Sequence, residues 1–292
     1  MESDEAHAHG EGDWEQEPAE PHPDDEPPQS NGPPSRWWRV FRWVIIVGFF
    51  FLGCGIGAVA YLIHVNSTDL PSVEQLKAGY NPPQITRVLA RDNTLLKAVF
   101  TERRTVIPFE QIPNSAKLAF LAAEDAHFYE HEGLNYWGML RALLRNVRAG
   151  HAVQGGSTIT QQVVKNVLLD SSRTLRRKIR ELILSRRLEQ SLTKDEIFWL
   201  YLNHIYLGHG RYGIEEAARF YFGKKASELR VEEAATLAGL VAAPERFSPR
   251  RDAKRALERR RYVLDQMLEK GFITPELYAQ VKGAPLHLSA LG

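Results

Sequence analysis

Cysteine is nearly absent from this sequence, and its first segment lacks positive charge altogether. The single cysteine, Cys54, excludes a disulfide within the chain. Residues 1–35 contain no lysine or arginine but eleven aspartates and glutamates, with many prolines and few aliphatic side chains. Such a segment cannot bury enough apolar surface to offset the entropy lost on ordering. We therefore predict that residues 1–35 form a disordered acidic tail.

The remainder of the chain carries a surplus of positive charge, with 37 basic against 25 acidic residues. A basic body favours an anionic partner, such as phosphate groups, acidic lipids or nucleic acid. The hydrophobic fraction of 43% is sufficient for a core, so a wholly disordered protein is excluded.

Charge of either sign is missing from the 21 residues Trp43–Ile63. A helix of that length crosses a hydrocarbon core of about 30 Å. Three arginines precede the run and no basic cluster follows it closely, which predicts a cytoplasmic N-terminus. A cleaved signal peptide would have a shorter apolar region. We expect residues 36–64 to be a transmembrane anchor and the later chain to lie outside the cytoplasmic membrane, which excludes nucleic acid as a partner.

Beyond the anchor, the pattern predicts a short β element followed by helices. Residues 65–110 are predicted to be a linker and a β-hairpin, with alternation over residues 85–108 and a return strand that continues to Val106. Residues 111–288 are predicted to be one mainly α-helical domain, with an irregular stretch before the glycine pair at 155–156. Predicted helices begin at Asn114, after Ser157 or Thr158, at about Ser172, after Thr193, near Gly213, near Val231, near Pro249 and at Pro275.

Two adjacent carboxylates, Glu124 and Asp125, end the first of these helices and lead into aromatics and histidines. A carboxylate at the end of an apolar helix can have a raised pKa, which suits proton transfer near neutral pH. The same pair could equally be an ordinary solvated helix end. A zinc site on His127 and His131 is disfavoured because Phe128, rather than glutamate, follows the first histidine.

A second polar cluster follows the glycine pair at 155–156, where a helix N-terminus presents backbone N–H groups that attract phosphate. It consists of Ser157, Thr158, Gln161, Gln162, Lys165 and Asn166. A P-loop is excluded because no Gly-Lys-Ser/Thr follows the glycines. The alternative is a capped helix with a flexible entry.

A third cluster places four cations in the five positions 176–180 of a predicted amphipathic helix. Arg177 and Glu181 are spaced i and i+4, so they share a face and can pair. The cluster is either a solvated helix face or a clamp for a diphosphate.

In this order, the clusters resemble the motifs of the peptidoglycan glycosyltransferases, the transglycosylase domains of class A penicillin-binding proteins and their monofunctional relatives. The matching positions are Glu124, Asp125, Phe128, His131 and Gly133, then Gly155 to Gln162, then Arg177, Lys178 and Glu181, then Lys194 to Gly213, then Glu233 to Pro244. The resemblance covers about residues 65–285. Asn135 stands where many members have aspartate.

The resemblance implies a lysozyme-like glycosyltransferase domain with a small jaw lobe that dips into the membrane. It implies that the chain polymerises lipid II by inverting transfer, from a glycan on undecaprenyl diphosphate to the 4-hydroxyl of lipid II. Glu124 is then the catalytic base and Glu181 a second catalytic carboxylate or metal ligand. The implied substrate-binding residues are Asp125, Ser157, Thr158, Gln161, Gln162, Lys165, Asn166, Arg177 and Lys178. A divalent cation, Mg or Mn, is expected at the donor diphosphate, and no other cofactor.

The implied partners are lipid II, the undecaprenyl-diphosphate glycan, the membrane, and a separate transpeptidase or other cell-wall synthesis proteins. Two alternatives remain. A lytic hydrolase would leave the cations at 176–178 without a role, and an inactive scaffold would tolerate loss of Glu124 or Lys165, which are both present. The sequence Ser191–Lys194 matches a transpeptidase Ser-x-x-Lys but lies between two glycosyltransferase motifs, so we predict no transpeptidase within these 292 residues.

Overall fold

The computed structural model describes residues 36–67, 70–73, 76, 82, 86–92, 95–99, 102–150, 155–169, 172 and 174–290. The helices are α1 (Arg36–Ser67), α2 (Asn114–Glu124), α3 (Tyr136–Ala149), α4 (Ile159–Val163), α5 (Leu175–Ser191), α6 (Lys194–His204), α7 (Ile214–Phe222), α8 (Val231–Leu240), α9 (Ala253–Glu269) and α10 (Pro275–Val281). The strands are β1 (Thr86–Leu89), β2 (Leu95–Val99), β3 (Arg103–Arg104) and β4 (Arg211–Tyr212). A π-helix, Val164–Leu168, continues α4, and 3₁₀ turns lie at Phe109–Gln111 and Ala226–Glu228. The chain divides into two units, Met1–Gly57 and Ala58–Gly292.

Helix α1 contains the whole predicted anchor. It is 32 residues long, and its most apolar 18-residue window has a mean hydropathy of 2.3 with no residue buried. By length and composition it could cross a membrane, although a signal sequence would satisfy the same criterion. The predicted acidic tail lies outside the described residues.

The predicted β-hairpin is confirmed in its first half only. β1 pairs with β2 in antiparallel fashion from Thr86↔Val99, with a register shift between Val88 and Leu89. The prediction that the return strand continues to Val106 was wrong, because β3 pairs in parallel with β4 instead. The guanidinium of Arg104 explains this, since it lies 2.7 Å from Glu102 and 5.2 Å from the centre of the Tyr212 ring. This contact between distant segments holds β3 beside β4, so β3 does not extend the hairpin.

The core of the second unit lies where α2 and α9 pack on α8. Helix α8 is rich in small side chains and is buried from its second residue to its last. Its leucines are enclosed, as are Val263 and Leu264 on the inner face of α9. Each such side chain contributes about 1.5–3 kcal/mol by leaving water. This packing fixes α2, and with it the position of Glu124 at the end of that helix.

Most predicted helix starts are confirmed. Thr158 and Thr193 both form capping boxes, with Gln161 and Glu196 as the reciprocal partners. The last helix begins at Pro275 after the cap Thr274, as predicted.

Two predicted starts were displaced. Helix α5 begins at Leu175 rather than Ser172, because the Thr174 side chain accepts a hydrogen bond from the backbone N–H of Arg177. Helix α9 begins at Ala253 rather than near Pro249, because Asp252 caps it.

Helix α3 was missed, since its region was predicted to be irregular. The Asn135 side chain caps it by accepting a hydrogen bond from Gly138 N–H at 2.7 Å, and Gly150 ends it with a φ of 69°. Most of its large apolar side chains are exposed, with Trp137 at 77% and Val147 at 70%, whereas Ala142 is buried. The core therefore does not hold this helix, although the sequence signalled it by the helical spacing of its apolar residues and by the Asn135 cap.

The glycines near the end of the fourth motif allow a matched stability test. Gly213 has a φ of 79°, and a Cβ there would lie 2.7 Å from the Asn203 carbonyl oxygen. Gly210 has a φ of 69° with nothing within 4 Å. We expect Gly210→Ala to lower the free energy of unfolding by about 1 kcal/mol and Gly213→Ala by about 3 kcal/mol, since only the second adds overlap to backbone strain. Urea unfolding of the two variants checks this, and equal losses would contradict it.

Candidate active site

Glu124 is the last residue of α2, and its carboxylate contacts a side chain of α4. The buried face of α2, including Phe120, packs in the core. Glu124 is half-buried, and its Oε2 accepts a hydrogen bond from Gln162 Nε2 at 2.7 Å. The first and second motifs therefore meet at this carboxylate.

Asp125, the next residue, also connects the first and second motifs, through buried hydrogen bonds. Its Oδ2 accepts from the backbone N–H of Ile159 at 3.2 Å and lies 2.9 Å from His131 Nε2. The Thr158 hydroxyl donates to the Gly133 carbonyl at 2.7 Å. These buried bonds hold the loop that follows Glu124 against the N-terminus of α4.

Gln161 is among the most buried of the predicted substrate-binding residues, at 1% exposed beside Thr158 at 2%. Its Oε1 accepts from the backbone N–H of Thr158 at 2.8 Å. Its amide nitrogen has no hydrogen-bond partner among the described residues. Gln161 thus builds the start of α4, and its substrate-binding role stays a prediction.

The third motif meets the second through Lys178. The Lys178 ammonium lies 3.2 Å from the Ser157 hydroxyl and forms an ion pair with Glu181 one turn later on α5. The Glu181 side chain is 3% exposed, whereas that of Lys178 is 41% exposed. Glu181 therefore orients Lys178 from a buried position.

The predicted residues line two cavities. The first, here the Glu124 cavity, has a volume of about 140 Å³. Its lining includes Glu124, Asp125, Ser157 and Thr158 together with Arg141, Tyr262, Gln266 and Lys270. The second, here the Lys165 cavity, has a volume of about 590 Å³. Its lining includes Gln162, Lys165, Asn166 and Arg177 together with Glu102, Arg104, His204, Tyr206 and Tyr212.

The charges of the two cavities differ. The Lys165 cavity has three permanent cations, Lys165, Arg177 and Arg104, against one acid, Glu102. At the Glu124 cavity, burial raises the pKa of the Glu124 carboxyl above its ordinary value; the Gln162 hydrogen bond and the charges of Arg259 and Lys165 oppose that rise, and Asp125 adds to it. A carboxylate with a raised pKa is a stronger base than one in water.

The described residues do not by themselves fit a protein-held divalent cation. No group of three His, Cys, Asp or Glu side chains lies together among them. Glu181 is already engaged by the Lys178 ammonium. A cation that enters with the diphosphate stays a prediction.

Several lining residues were not anticipated as site residues. Arg104 and His204 belong to the Lys165 cavity, and Tyr262 belongs to the Glu124 cavity. Arg259 on α9 acts electrostatically on Glu124. None of these stands in a motif with a recognisable spacing for its role, apart from His204, which directly follows Asn203 of the fourth motif.

His204 gives the protein a pH-dependent stability. Burial, with the charge of Arg104, lowers its pKa from 6.5 to about 3. Below pH 6.5 the His204 ring is protonated in the unfolded chain but stays neutral in the folded chain. The stability that the neutral ring contributes is therefore lost as the pH falls towards 3. We expect His204→Gln to retain about 2 kcal/mol more of its neutral-pH stability at pH 5 than the wild type does. Thermal unfolding at pH 7 and pH 5 measures this, with the exposed His127→Gln as control; parallel losses in all three proteins would contradict it.

The comparisons with known proteins all point to one protein family. Residues 92–268, more than half of the chain, match the family model described as Transglycosylase. Penicillin-binding protein 1A of Rickettsia bellii (strain RML369-C) is 43% identical over 247 residues, which cover 84% of this chain and 31% of that protein. Its namesake in Escherichia coli (strain K12) is 40% identical over 245 residues, which cover 84% of this chain and 29% of that protein.

Two further matches carry the same name. Penicillin-binding protein 1A of Aquifex aeolicus (strain VF5) is 43% identical over 231 residues, covering 79% of this chain and 32% of that protein. The crystal structure of penicillin-binding protein 1A from Haemophilus influenzae matches with a TM-score of 0.43 and 26% identity, covering 72% of this chain and 22% of that chain. This chain spans about a third of the length of the curated relatives it matches.

Proposed function

This chain belongs to the transglycosylase family, and from that membership we propose that it is a peptidoglycan glycosyltransferase that polymerises lipid II into β-1,4-linked glycan strands. The observation that carries the proposal is the position of Glu124. Its carboxylate lines one cavity and bonds to Gln162, which lines the cationic cavity beside it. A base next to an anion site is the arrangement that transfer from a diphosphate needs.

In the proposed reaction, the donor diphosphate occupies the Lys165 cavity. Lys165 and Arg177 there neutralise the charge that develops as the diphosphate leaves, which is the largest electrostatic change in the reaction. Lys178 adds a cation beside Ser157 of the Glu124 cavity. Because its ion pair with Glu181 already orients it, this cation needs little reorganisation at the transition state.

The acceptor sugar enters the Glu124 cavity. Glu124 removes the proton from its 4-hydroxyl, and that oxygen forms a bond to the anomeric carbon of the donor. The bond from this carbon to the diphosphate oxygen breaks, with inversion of configuration. Asp125 stays a hydrogen-bonding partner of Ile159 and His131 and takes no proton.

We further propose that α1 spans the cytoplasmic membrane with its N-terminus inside. The support is the arginines at its start and the apolar run that follows them. The catalytic unit then lies on the outer side, where a membrane-bound diphosphate substrate is accessible to it.

The full chain, purified in detergent, tests the proposal when it is incubated with lipid II, with and without a chelator. We expect release of undecaprenyl diphosphate and a polymer that a muramidase digests, and the chelator arm reports the metal requirement. A parallel incubation with isolated cell walls tests the lytic alternative. Solubilised walls without polymer from lipid II would replace the proposal with a hydrolase, and inactivity in both would favour a scaffold.

A further inference from the structure

Tyr201 on α6 has a buried hydroxyl without a hydrogen-bond partner among the described residues. The residue is 1% exposed, and its ring packs edge-on against Phe120 and stacks with Phe198, each at a centroid distance of 6.2 Å. Tyr221 is as deeply buried, yet its hydroxyl donates to the Leu207 carbonyl at 2.9 Å. A buried polar group without a partner is unfavourable and requires an explanation.

The Tyr201 ring packs against the helix that ends in the catalytic carboxylate. Phe120, which it contacts, is four residues before Glu124 on α2, so both side chains lie on one face of that helix. Burial raises the pKa of Tyr201, and the charges of Glu124 and Asp125 raise it further. The hydroxyl therefore stays protonated and can serve as a donor.

Glu124 has acceptor capacity left for such a donor. A carboxylate offers about four lone-pair sites. Among the described residues Gln162 occupies one of these sites from α4, and the charged groups that face the carboxylate are Asp125, Lys165 and Arg259. Tyr201 is thus a neutral donor on α6 that packs against the helix carrying Glu124. The hydroxyl makes no direct hydrogen bond to this carboxylate, and a water that bridges two such groups acts at nearly the strength of a direct bond.

We propose that Tyr201 is a positioning residue for Glu124: its hydroxyl, through one buried water, donates a hydrogen bond that holds the carboxylate ready to accept the acceptor's proton. This inference rests on the proposed function of Glu124 as the base. Losing the donor disfavours the ionised carboxylate, so a larger share of the enzyme is protonated and inactive on the acid side of the pH profile.

The experiment compares Tyr201→Phe with Tyr221→Phe in the full chain, measuring lipid II polymerisation from pH 5 to pH 8 and thermal unfolding. For Tyr201→Phe we expect the acid limb of kcat/KM to move up by about one pH unit, with an unchanged or raised Tm because no protein hydrogen bond is lost. For Tyr221→Phe we expect a lower Tm and an unmoved acid limb. A Tyr201→Phe limb that coincides with the wild type overturns the inference.

A second substitution tests whether disturbed packing, rather than the lost hydroxyl, causes a shift of the acid limb. Replacing Tyr201 by 3-fluorotyrosine keeps the ring and strengthens the donor, so the acid limb is expected to move down; no movement, or movement up, contradicts the inference. Glu124→Gln separates this inference from its premise. If Glu124→Gln polymerises normally, the proposed base is wrong, whereas an inactive Glu124→Gln with an unmoved Tyr201→Phe limb refutes the role of Tyr201 alone.

Discussion

Replacing Glu124 by glutamine is expected to lower the rate of lipid II polymerisation by about a thousandfold, the middle of the range for loss of a general base. Glutamine keeps the size of the side chain and can still bond to Gln162 through its carbonyl oxygen. It cannot accept a proton at neutral pH. The effect should therefore fall on kcat rather than on binding. Initial rates with radiolabelled or fluorescent lipid II measure it.

The matched control is Glu130→Gln, because Glu130 is an exposed carboxylate six residues further on that pairs only with the exposed His127 among the described residues. It should keep wild-type activity. Glu130→Gln should unfold at the wild-type temperature, and Glu124→Gln at that temperature or above, because burial disfavours the charge that this substitution removes. Comparable activity in Glu124→Gln and the wild type would exclude Glu124 as the base.

Replacing Asp125 by alanine is expected to destabilise the protein by about 4 kcal/mol, because removing one member of a buried polar cluster leaves the others without partners. The Asp125 side chain is 4% exposed. Its loss leaves the Ile159 N–H and the His131 ring without their hydrogen-bond acceptor. Urea unfolding by circular dichroism measures the loss.

The matched control for this prediction is Asp265→Ala. Asp265 accepts a hydrogen bond from the Tyr278 hydroxyl, but at an exposed site. We expect it to cost below about 1 kcal/mol. Polymerisation by Asp125→Ala should also fall, even at temperatures where the variant is folded, because the loop that begins at Glu124 is released. Wild-type stability in Asp125→Ala would show that the buried cluster does not hold the two motifs together.

Local chemistry made the helix starts predictable from the sequence. Thr158 and Thr193 each stand three residues before a glutamine or glutamate, and both form the expected capping boxes. The resemblance to the family's motifs assigned Glu124 and Gln162 to one site, and the structure places the Glu124 carboxylate 2.7 Å from the Gln162 amide nitrogen. In each case the partners are close in sequence or belong to a recognised motif.

What the sequence could not supply were contacts between distant segments. The pairing of β3 with β4 joins residues more than a hundred positions apart, and it decides where the hairpin ends. Arg259 acts on Glu124 from a helix whose pattern indicates only an amphipathic surface. Helix α3 is a different case: the helical spacing of Trp137, Leu140, Leu144 and Val147 was there to be read, although these side chains are exposed in the structure.

Because Val164–Leu168 is a π-helix, the number of residues in this segment matters as much as which side chains it carries. A π-helix differs from an α-helix by one additional residue in the turn. Deleting Val164 would let an α-helix close the same turn, and Lys165 would move into the buried position of Val164, about 100° around the helix axis. Lys165 would then no longer face the cavity that Gln162 lines. Substitutions can therefore accumulate in this turn where a single-residue insertion or deletion cannot.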